Sequence, residues 1–203
     1  MSETEIHTAR AEIVAICQDH LARLGEEAGQ VAEDRLAGLA AKAVAETGAL
    51  LNQIVAATRR IRDAGDPAAV LAELADSAGR LCERAVVLLK DGDRLTVFRA
   101  SHAASADGPV ETGQASFDLA DVSPLAQAVE TKDTVLVDGG EHNASRSLGY
   151  PDDTGLRAFP IVLRDTVLGL VVVDSGSSQG TAIESLILTA EAWIEALSSR
   201  VRN

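Results

Sequence analysis

The chain has 203 residues, enough for one domain of ordinary size plus an accessory segment, and 46% of them are hydrophobic. Its 31 acidic and 18 basic residues give a net charge of −13, which repels phosphate backbones and argues against binding to nucleic acid or to anionic membranes. Two isolated cysteines, an acidic N-terminus without an apolar signal core, and no apolar run long enough to cross a bilayer predict a cytoplasmic protein.

The first segment, residues 3–63, is predicted to be helical. Apolar residues recur there at steps of three, four and seven positions, and alanine is abundant. Gly25 and Gly29 each cost about 1 kcal/mol relative to alanine inside a helix, so we expect a break or bend near them. The apolar stripe cannot bury itself, and its heptad match is imperfect. The segment must therefore pack on the downstream domain, on its own second half or on a partner chain, and we favour pairing with a second copy of the chain in a helical bundle.

A second helix follows a clear stop at Gly65. Asp66 is an N-cap candidate and Pro67 suits the first turn of a helix. The helix is amphipathic and reaches Cys82, which we interpret as a small core residue.

Short strands and one short helix make up the middle of the chain. Strands are predicted at 85–90 and 94–101, joined by a turn that contains Gly92, and at 115–119 and 134–137. A short helix starting at Pro124 is expected to use Asp121 or Ser123 as its cap and to turn Leu125, Ala126 and Val129 inward. Residues 138–155 form the longest irregular stretch, and loops of that length are often functional.

The C-terminal part begins with the most apolar stretch of the chain, residues 157–174. Its two β-branched runs are separated by Arg164–Asp165, which predicts a hairpin of two central strands buried on both faces. A sheet buried on both faces needs helices on each side. The last helix is predicted from Thr181, with a stripe formed by Ile183, Leu186, Ile187, Ala190, Ile194, Leu197 and Val201.

Residues 80–102, 123–137 and 157–175, taken together, resemble a GAF domain. The run from Pro160 to Val173, with its charged turn and Gly169, is typical of the last two strands of that family. The resemblance covers about residues 43–201 and implies an α+β fold, an α/β/α sandwich whose antiparallel sheet lies between helices. Residues 1–42 would then be an N-terminal helical extension. A PAS-like domain is the alternative, although the small helices usual between its early strands are not seen here.

The resemblance also implies a sensory or regulatory role. In GAF domains the terminal helices commonly pack on one face of the sheet and pair with a second chain, and a small-molecule pocket lies on the other face. Loop 138–155 would cover that pocket. The expected ligand-binding residues are Phe117, Leu125, His142, Arg146, Tyr150, Arg157 and Phe159. Arg157 could pair with an anionic group, and the phenylalanines and Leu125 would form apolar walls.

No catalytic or metal-binding pattern is visible in the sequence. The four histidines, His7, His20, His102 and His142, do not fall at metal-ligand spacing, and no nucleophile motif is present. We expect no cofactor and no enzymatic activity. The alternatives are a degenerate GAF domain that serves only as a dimerisation scaffold and, less favoured, a small-molecule enzyme. No output domain is visible, so signalling would pass to a downstream protein partner.

Overall fold

The computed structural model describes residues 3–82, 84–102, 116–137, 148, 150–151 and 154–200. The described helices are α1 (Glu3–Asp63), α2 (Pro67–Leu81), α3 (Ser123–Thr131) and α4 (Gly180–Arg200). The described strands are β1 (Arg84–Asp91), β2 (Arg94–His102), β3 (Ser116–Asp118), β4 (Val135–Val137), β5 (Leu156–Leu163) and β6 (Thr166–Asp174).

Helix α1 is continuous through Gly25 and Gly29, so the expected break is wrong, whereas a bend there stays a prediction. Two glycine penalties of about 1 kcal/mol each are small beside the cooperativity of a long, alanine-rich helix. The chain divides into two compact units, residues 1–50 and residues 51–203. The first unit consists of helix in its described part. The second contains the end of α1, all six strands and the other three helices.

The boundary between α1 and α2 forms as its residues predict. The Asp66 side chain accepts a hydrogen bond of 2.8 Å from the backbone N–H of Ala69, and Pro67 occupies the first turn. Cys82 ends α2 as a buried residue whose Sγ lies 2.9 Å from the carbonyl oxygen of Ala78. Its interpretation as a small core residue is confirmed.

The six strands form one antiparallel sheet in the order β3-β2-β1-β6-β5-β4. The most apolar strands are central: β1 pairs with β6 from Ala85↔Val173 to Leu89↔Gly169, and β6 pairs along its length with β5. The two predicted hairpin turns have the positive φ values that tight turns require, at Gly92 and at Arg164–Asp165. The buried central hairpin is therefore confirmed.

Both faces of the sheet are covered, which confirms the α+β sandwich. Alternate residues of β6 serve opposite faces: Val171 and Val173 face one core, Leu170 and Val172 the other. The helix-side core contains Ala57, Ile61, Val70, Leu71, Leu74, Ala75, Ala78, Cys82, Ala85, Val87, Phe159, Ile161, Val171, Val173, Ile183, Leu186, Ile187, Ala190, Ile194 and Leu197. The loop-side core contains Val86, Leu88, Leu95, Val97, Val122, Leu125, Ala128, Val137, Leu148, Tyr150, Leu156, Ala158, Val167, Leu170 and Val172.

The short connection between β3 and α3 differs from the prediction. Strand β3 has only three residues and leads into a 3₁₀ turn, Leu119–Asp121. Val122 occupies the N-cap of α3 and makes no side-chain cap, so neither Asp121 nor Ser123 caps this helix. Val122 is buried in the loop-side core, and this burial takes the place of a polar cap.

Candidate functional site

Tyr150 belongs to the loop-side core of the sheet, and its side chain is only 5% exposed. Its hydroxyl lies 2.9 Å from the carbonyl oxygen of Val172 and 3.2 Å from that of Arg84. The single phenol O–H is shared between these two carbonyl oxygens and so ties Tyr150 to the ends of β1 and β6. Burial raises the pKa of Tyr150 well above its ordinary value of 10.0, which keeps the phenol protonated as a donor.

Two charged side chains lie beside Tyr150 at the end of the sheet. Arg84 comes directly before Ala85 in β1 and Asp174 directly after Val173 in β6, so both lie at the end where the Ala85↔Val173 pair closes the β1–β6 ladder. The guanidinium of Arg84 stacks over the ring of Tyr150 at 5.1 Å from its centroid. Desolvation by burial lowers the pKa of Arg84, and the tyrosine opposes that shift.

Asp174 also lines a cleft of about 630 Å³ at the same end of the sheet. We call this the strand-end cleft. Its lining residues are Leu81, Cys82, Thr154, Gly155, Asp174, Ser175, Gly176, Ser177, Ser178 and Gln179. Oδ2 of Asp174 is buried, and in the described part of the chain no hydrogen-bond donor reaches it. Burying a carboxylate oxygen without a hydrogen-bond donor is unfavourable. A bound group that donates a hydrogen bond to this oxygen would therefore be held in the cleft.

Three of the predicted site residues share one face of the sheet. Leu125 and Tyr150 belong to the loop-side core, and the half-buried Phe117 packs against it. Leu125 is only 1% exposed, so its side chain packs in the core and presents almost no surface to a ligand. The hydroxyl of Tyr150 is already used by backbone carbonyls.

The structure separates two predicted residues from the others. Phe159 belongs to the helix-side core, and the Arg157 side chain lies against Gly180 at the start of α4, where a Cβ would overlap its Nη1. Because residues 157 and 159 share one side of a strand, the β5 alternation places both away from Tyr150. Arg157 and Phe159 therefore do not line a common pocket with Phe117, Leu125 and Tyr150.

His142 and Arg146 fall outside the described residues. The sequence indicated only a connecting loop at 175–180, so Asp174 and the hydroxyl residues that follow it were not predicted as site residues. One signal was present: Asp174 is a carboxylate placed directly after the buried run Leu170–Val173.

The described part of the chain carries neither a cluster of metal-ligating side chains nor a helix that could cross a membrane. No group of three or more His, Cys, Asp or Glu side chains there could hold a metal ion. Among the helices described, none is long and apolar enough to cross a membrane.

No protein-family model and no curated protein matches the sequence. Among solved structures, the GAF domain of a phosphoenolpyruvate-protein phosphotransferase from Acinetobacter matches with a TM-score of 0.54 and 14% identity, over 76% of this chain and 98% of that one. The fold is that of a GAF domain.

Two further structures support the GAF-like fold. The GAF-B domain of DevS from Mycobacterium smegmatis matches with a TM-score of 0.50 and 21% identity, over 68% of this chain and all of that one. The chromophore-binding domain of a bacteriophytochrome from R. palustris matches with a TM-score of 0.58 and 13% identity, over 75% of this chain and 63% of that one. At these identities the similarity establishes the GAF-like fold alone.

Proposed function

We propose that this chain is a cytoplasmic sensory or regulatory GAF-like module that binds a small polar molecule in the strand-end cleft and dimerises through its terminal helices. The buried Oδ2 of Asp174, which lacks a donor in the described structure, carries the ligand part of the proposal. The cleft volume of about 630 Å³ falls in the range of small-molecule pockets. A structural neighbour is a chromophore-binding domain, and this supports the binding of a small molecule on a GAF-like fold.

The lining of the cleft indicates the chemistry of the ligand. Serine, threonine and glutamine residues line the cleft together with Asp174, and Thr154 and Gly155 belong to the end of segment 138–155. Such a lining favours a molecule with an N–H or O–H group for the carboxylate and further polar groups for the hydroxyls. His142 and Arg146 remain proposed contacts from the same segment, whereas Tyr150 has a supporting role.

Binding in this cleft would act on the helices that border it. Leu81 and Cys82 end α2, and Ser177–Gln179 lead into α4. A ligand that fits one arrangement of these two helix ends better than another shifts their population by its differential affinity. The signal would then pass along the helices to a downstream protein partner. The proposal gives the chain no catalytic step.

The ligand part is tested by native mass spectrometry of the purified full chain, followed by a thermal-shift screen of polar metabolites. We expect a retained or added small molecule in the wild type, its loss in Asp174→Asn, and its retention in Asp121→Asn. Asp121 is an exposed carboxylate of the 3₁₀ turn and lies outside the cleft, so it is the matched control. Absence of any ligand or shift in the wild type, or equal binding by both variants, would contradict the proposal.

The dimer part depends on a second apolar stripe of α1. Ile54, Ala57 and Ile61 turn toward the helix-side core. Val44, Leu51 and Val55 lie on another side of the same helix, at about 100° per residue, and are 74%, 56% and 48% exposed. These last three residues are named the outer stripe. A helix with two apolar sides is typical of one held between its own domain and a partner.

The dimer is tested by sedimentation velocity of the full chain. The outer-stripe variant Leu51→Glu is expected to shift the protein toward monomer, because a charge would be buried between two helices. Leu136→Glu is the control, since Leu136 is an equally exposed leucine, 63%, on strand β4 and not on a terminal helix. A monomeric wild type, or dissociation by Leu136→Glu alone, would rule out the outer stripe.

A scaffold without a ligand is the second candidate function. The observation that favours it is the dense filling of the loop-side core by Leu125, Leu156 and Tyr150. Under this alternative the wild type dimerises but retains no small molecule. The two experiments above therefore separate the candidates.

A further inference from the structure

A second cavity lies in the layer formed by the first two helices, and Leu81 is the one residue that lines both this cavity and the strand-end cleft. It has a volume of about 340 Å³ and is lined from α1 by Gln53, Ala56, Ala57 and Arg60 and from α2 by Ser77, Arg80 and Leu81. We call it the α1–α2 cavity. The small alanine side chains leave the space, and polar side chains from both helices surround it.

Every polar side chain in this lining can donate hydrogen bonds. Ser77 is only 2% exposed, and its Oγ accepts a hydrogen bond of 3.3 Å from Nη2 of Arg60. Several other serines on helices donate to the carbonyl four residues earlier, as Ser198 does to Ile194. Among the described residues, the hydroxyl hydrogen of Ser77 has no acceptor. The buried Nε of Arg60 likewise makes no well-aligned hydrogen bond.

The charge of the cavity is positive although the chain as a whole is acidic. Arg60 and Arg80 line it, and no carboxylate is among its lining residues. Nε of Arg60 lies 3.3 Å from a Glu73 carboxylate oxygen, which offsets one of the two charges. Across the described part of the chain, the Arg80 guanidinium has neither a hydrogen bond nor an ion pair. One net positive charge therefore remains beside donors that need an acceptor.

We propose that the α1–α2 cavity binds a small oxyanion, either a carboxylate or a phosphate group. A planar guanidinium matches both groups through paired N–H donors, and a buried hydroxyl adds a third donor. The volume admits a molecule of a few heavy atoms beyond the anionic group. Because the bound anion would contact α1 and α2 at once, it would fix the packing of α1 on the domain.

The proposal is tested on the full chain by NMR titration with inorganic phosphate and, separately, with succinate, at constant ionic strength set with chloride. We expect saturable shifts of the Gln53 side-chain amide and the Arg80 Nε–H. Arg80→Gln should weaken binding about tenfold, since it removes a charge-assisted hydrogen bond. The probe that saturates at lower concentration identifies whether the site prefers phosphate or carboxylate.

The matched control is Arg59→Gln, which removes a neighbouring exposed charge of α1 that does not line the cavity. It should leave the affinity unchanged. Shifts that grow linearly with both anions, or equal weakening by the two variants, would mean non-specific ionic contact and would overturn the proposal. Because Arg80 is exposed, its replacement should not prevent folding, and an unchanged amide spectrum elsewhere checks this.

Discussion

At the scale of single residues, Tyr150 and Gly169 both make close contacts with the backbone of the central strands. The Tyr150 hydroxyl contacts backbone carbonyls at the ends of two strands. Gly169 lies opposite Leu89 in the β1–β6 pair, where its backbone approaches the Leu88 carbonyl oxygen. Tyr150 is held at the strand ends by this contact, and Gly169 permits two strands to meet.

Replacing Tyr150 with phenylalanine removes only the hydroxyl. We expect the free energy of unfolding to fall by about 1–2 kcal/mol, because a buried hydrogen bond is lost while the ring remains. Urea denaturation of the wild type and the variant measures the difference. A variant as stable as the wild type would mean that the hydroxyl contributes nothing to the attachment of this segment.

Replacing Gly169 with alanine places a Cβ into the Leu88 carbonyl oxygen. The strands must then separate, and we expect a loss of about 3 kcal/mol in the free energy of unfolding. Gly176→Ala is the control, since its nearest neighbour would be Oδ1 of Asp174 at 3.7 Å, an ordinary contact. Denaturant unfolding that finds the two variants equally stable would contradict this account of Gly169.

At the scale of elements, the outer edge of β5 is protected in two ways. Strand β4 pairs only with Leu156–Ala158, so the rest of β5 lacks a strand on that side. Pro160 has no N–H to offer there, and Oε1 of Glu191 accepts the N–H of Val162 at 2.5 Å. The carboxylate is half-buried, and desolvation raises the pKa of Glu191 although the Val162 N–H opposes this shift.

The raised pKa of Glu191 has a defined effect on stability. Ionisation of Glu191 is less favourable in the folded chain than in the unfolded chain, so it lowers the free energy of unfolding. This loss is complete above the raised pKa and disappears as the pH falls below the ordinary value of 4.5. We expect Glu191→Gln to equal or exceed the wild type in thermal midpoint at pH 7. The difference should shrink as the pH is lowered toward 4.5.

Glu191→Ala distinguishes the acceptor from the charge. This variant leaves the Val162 N–H without its acceptor and should lose about 1–2 kcal/mol at pH 7. Thermal unfolding followed by circular dichroism across the pH range compares the three proteins. A wild type clearly more stable than Glu191→Gln at pH 7 would show that the charged form is favoured by the fold, contrary to the expected direction.

At the scale of the whole molecule, the chain consists of two units of different kinds. Residues 51–203 contain both cores and the whole sheet. In residues 1–50, the side chains that the structure describes include no buried residue, and Leu36 and Leu39 are about two-thirds exposed, at 67% and 65%. Among the side chains that the structure describes, burial is therefore confined to the second unit, while the described part of the first presents apolar surface.

Deleting residues 1–50 tests this division. We expect residues 51–203 to unfold cooperatively, with a free energy of unfolding within about 1 kcal/mol of the full chain at dilute, monomeric concentrations. Self-association should weaken, because Val44 of the outer stripe is removed and Leu51 is left at the helix end. Urea unfolding combined with sedimentation measures both. An unfolded fragment would show that the first unit stabilises the domain.

The sequence by itself determined the secondary structure and the layered fold. Alternation in β-branched runs, the turn at Arg164–Asp165 and the Asp66 cap are local signals, and each acts within a few residues. It also indicated that Tyr150 is important, although its role as a backbone anchor was not visible. The break predicted at Gly25 and Gly29 is wrong because the low helix propensity of glycine was outweighed by the length of the helix.

Only the tertiary structure decided which residues share a face. Phe159 and Tyr150 are both aromatic residues near one loop, yet the register of β5 places them in opposite cores. Asp174, Arg84 and the strand-end cleft come together only because β1 and β6 end side by side. Register depends on the pairing of distant segments, and one residue of difference reverses every side chain. A single sequence holds no local signal for that choice.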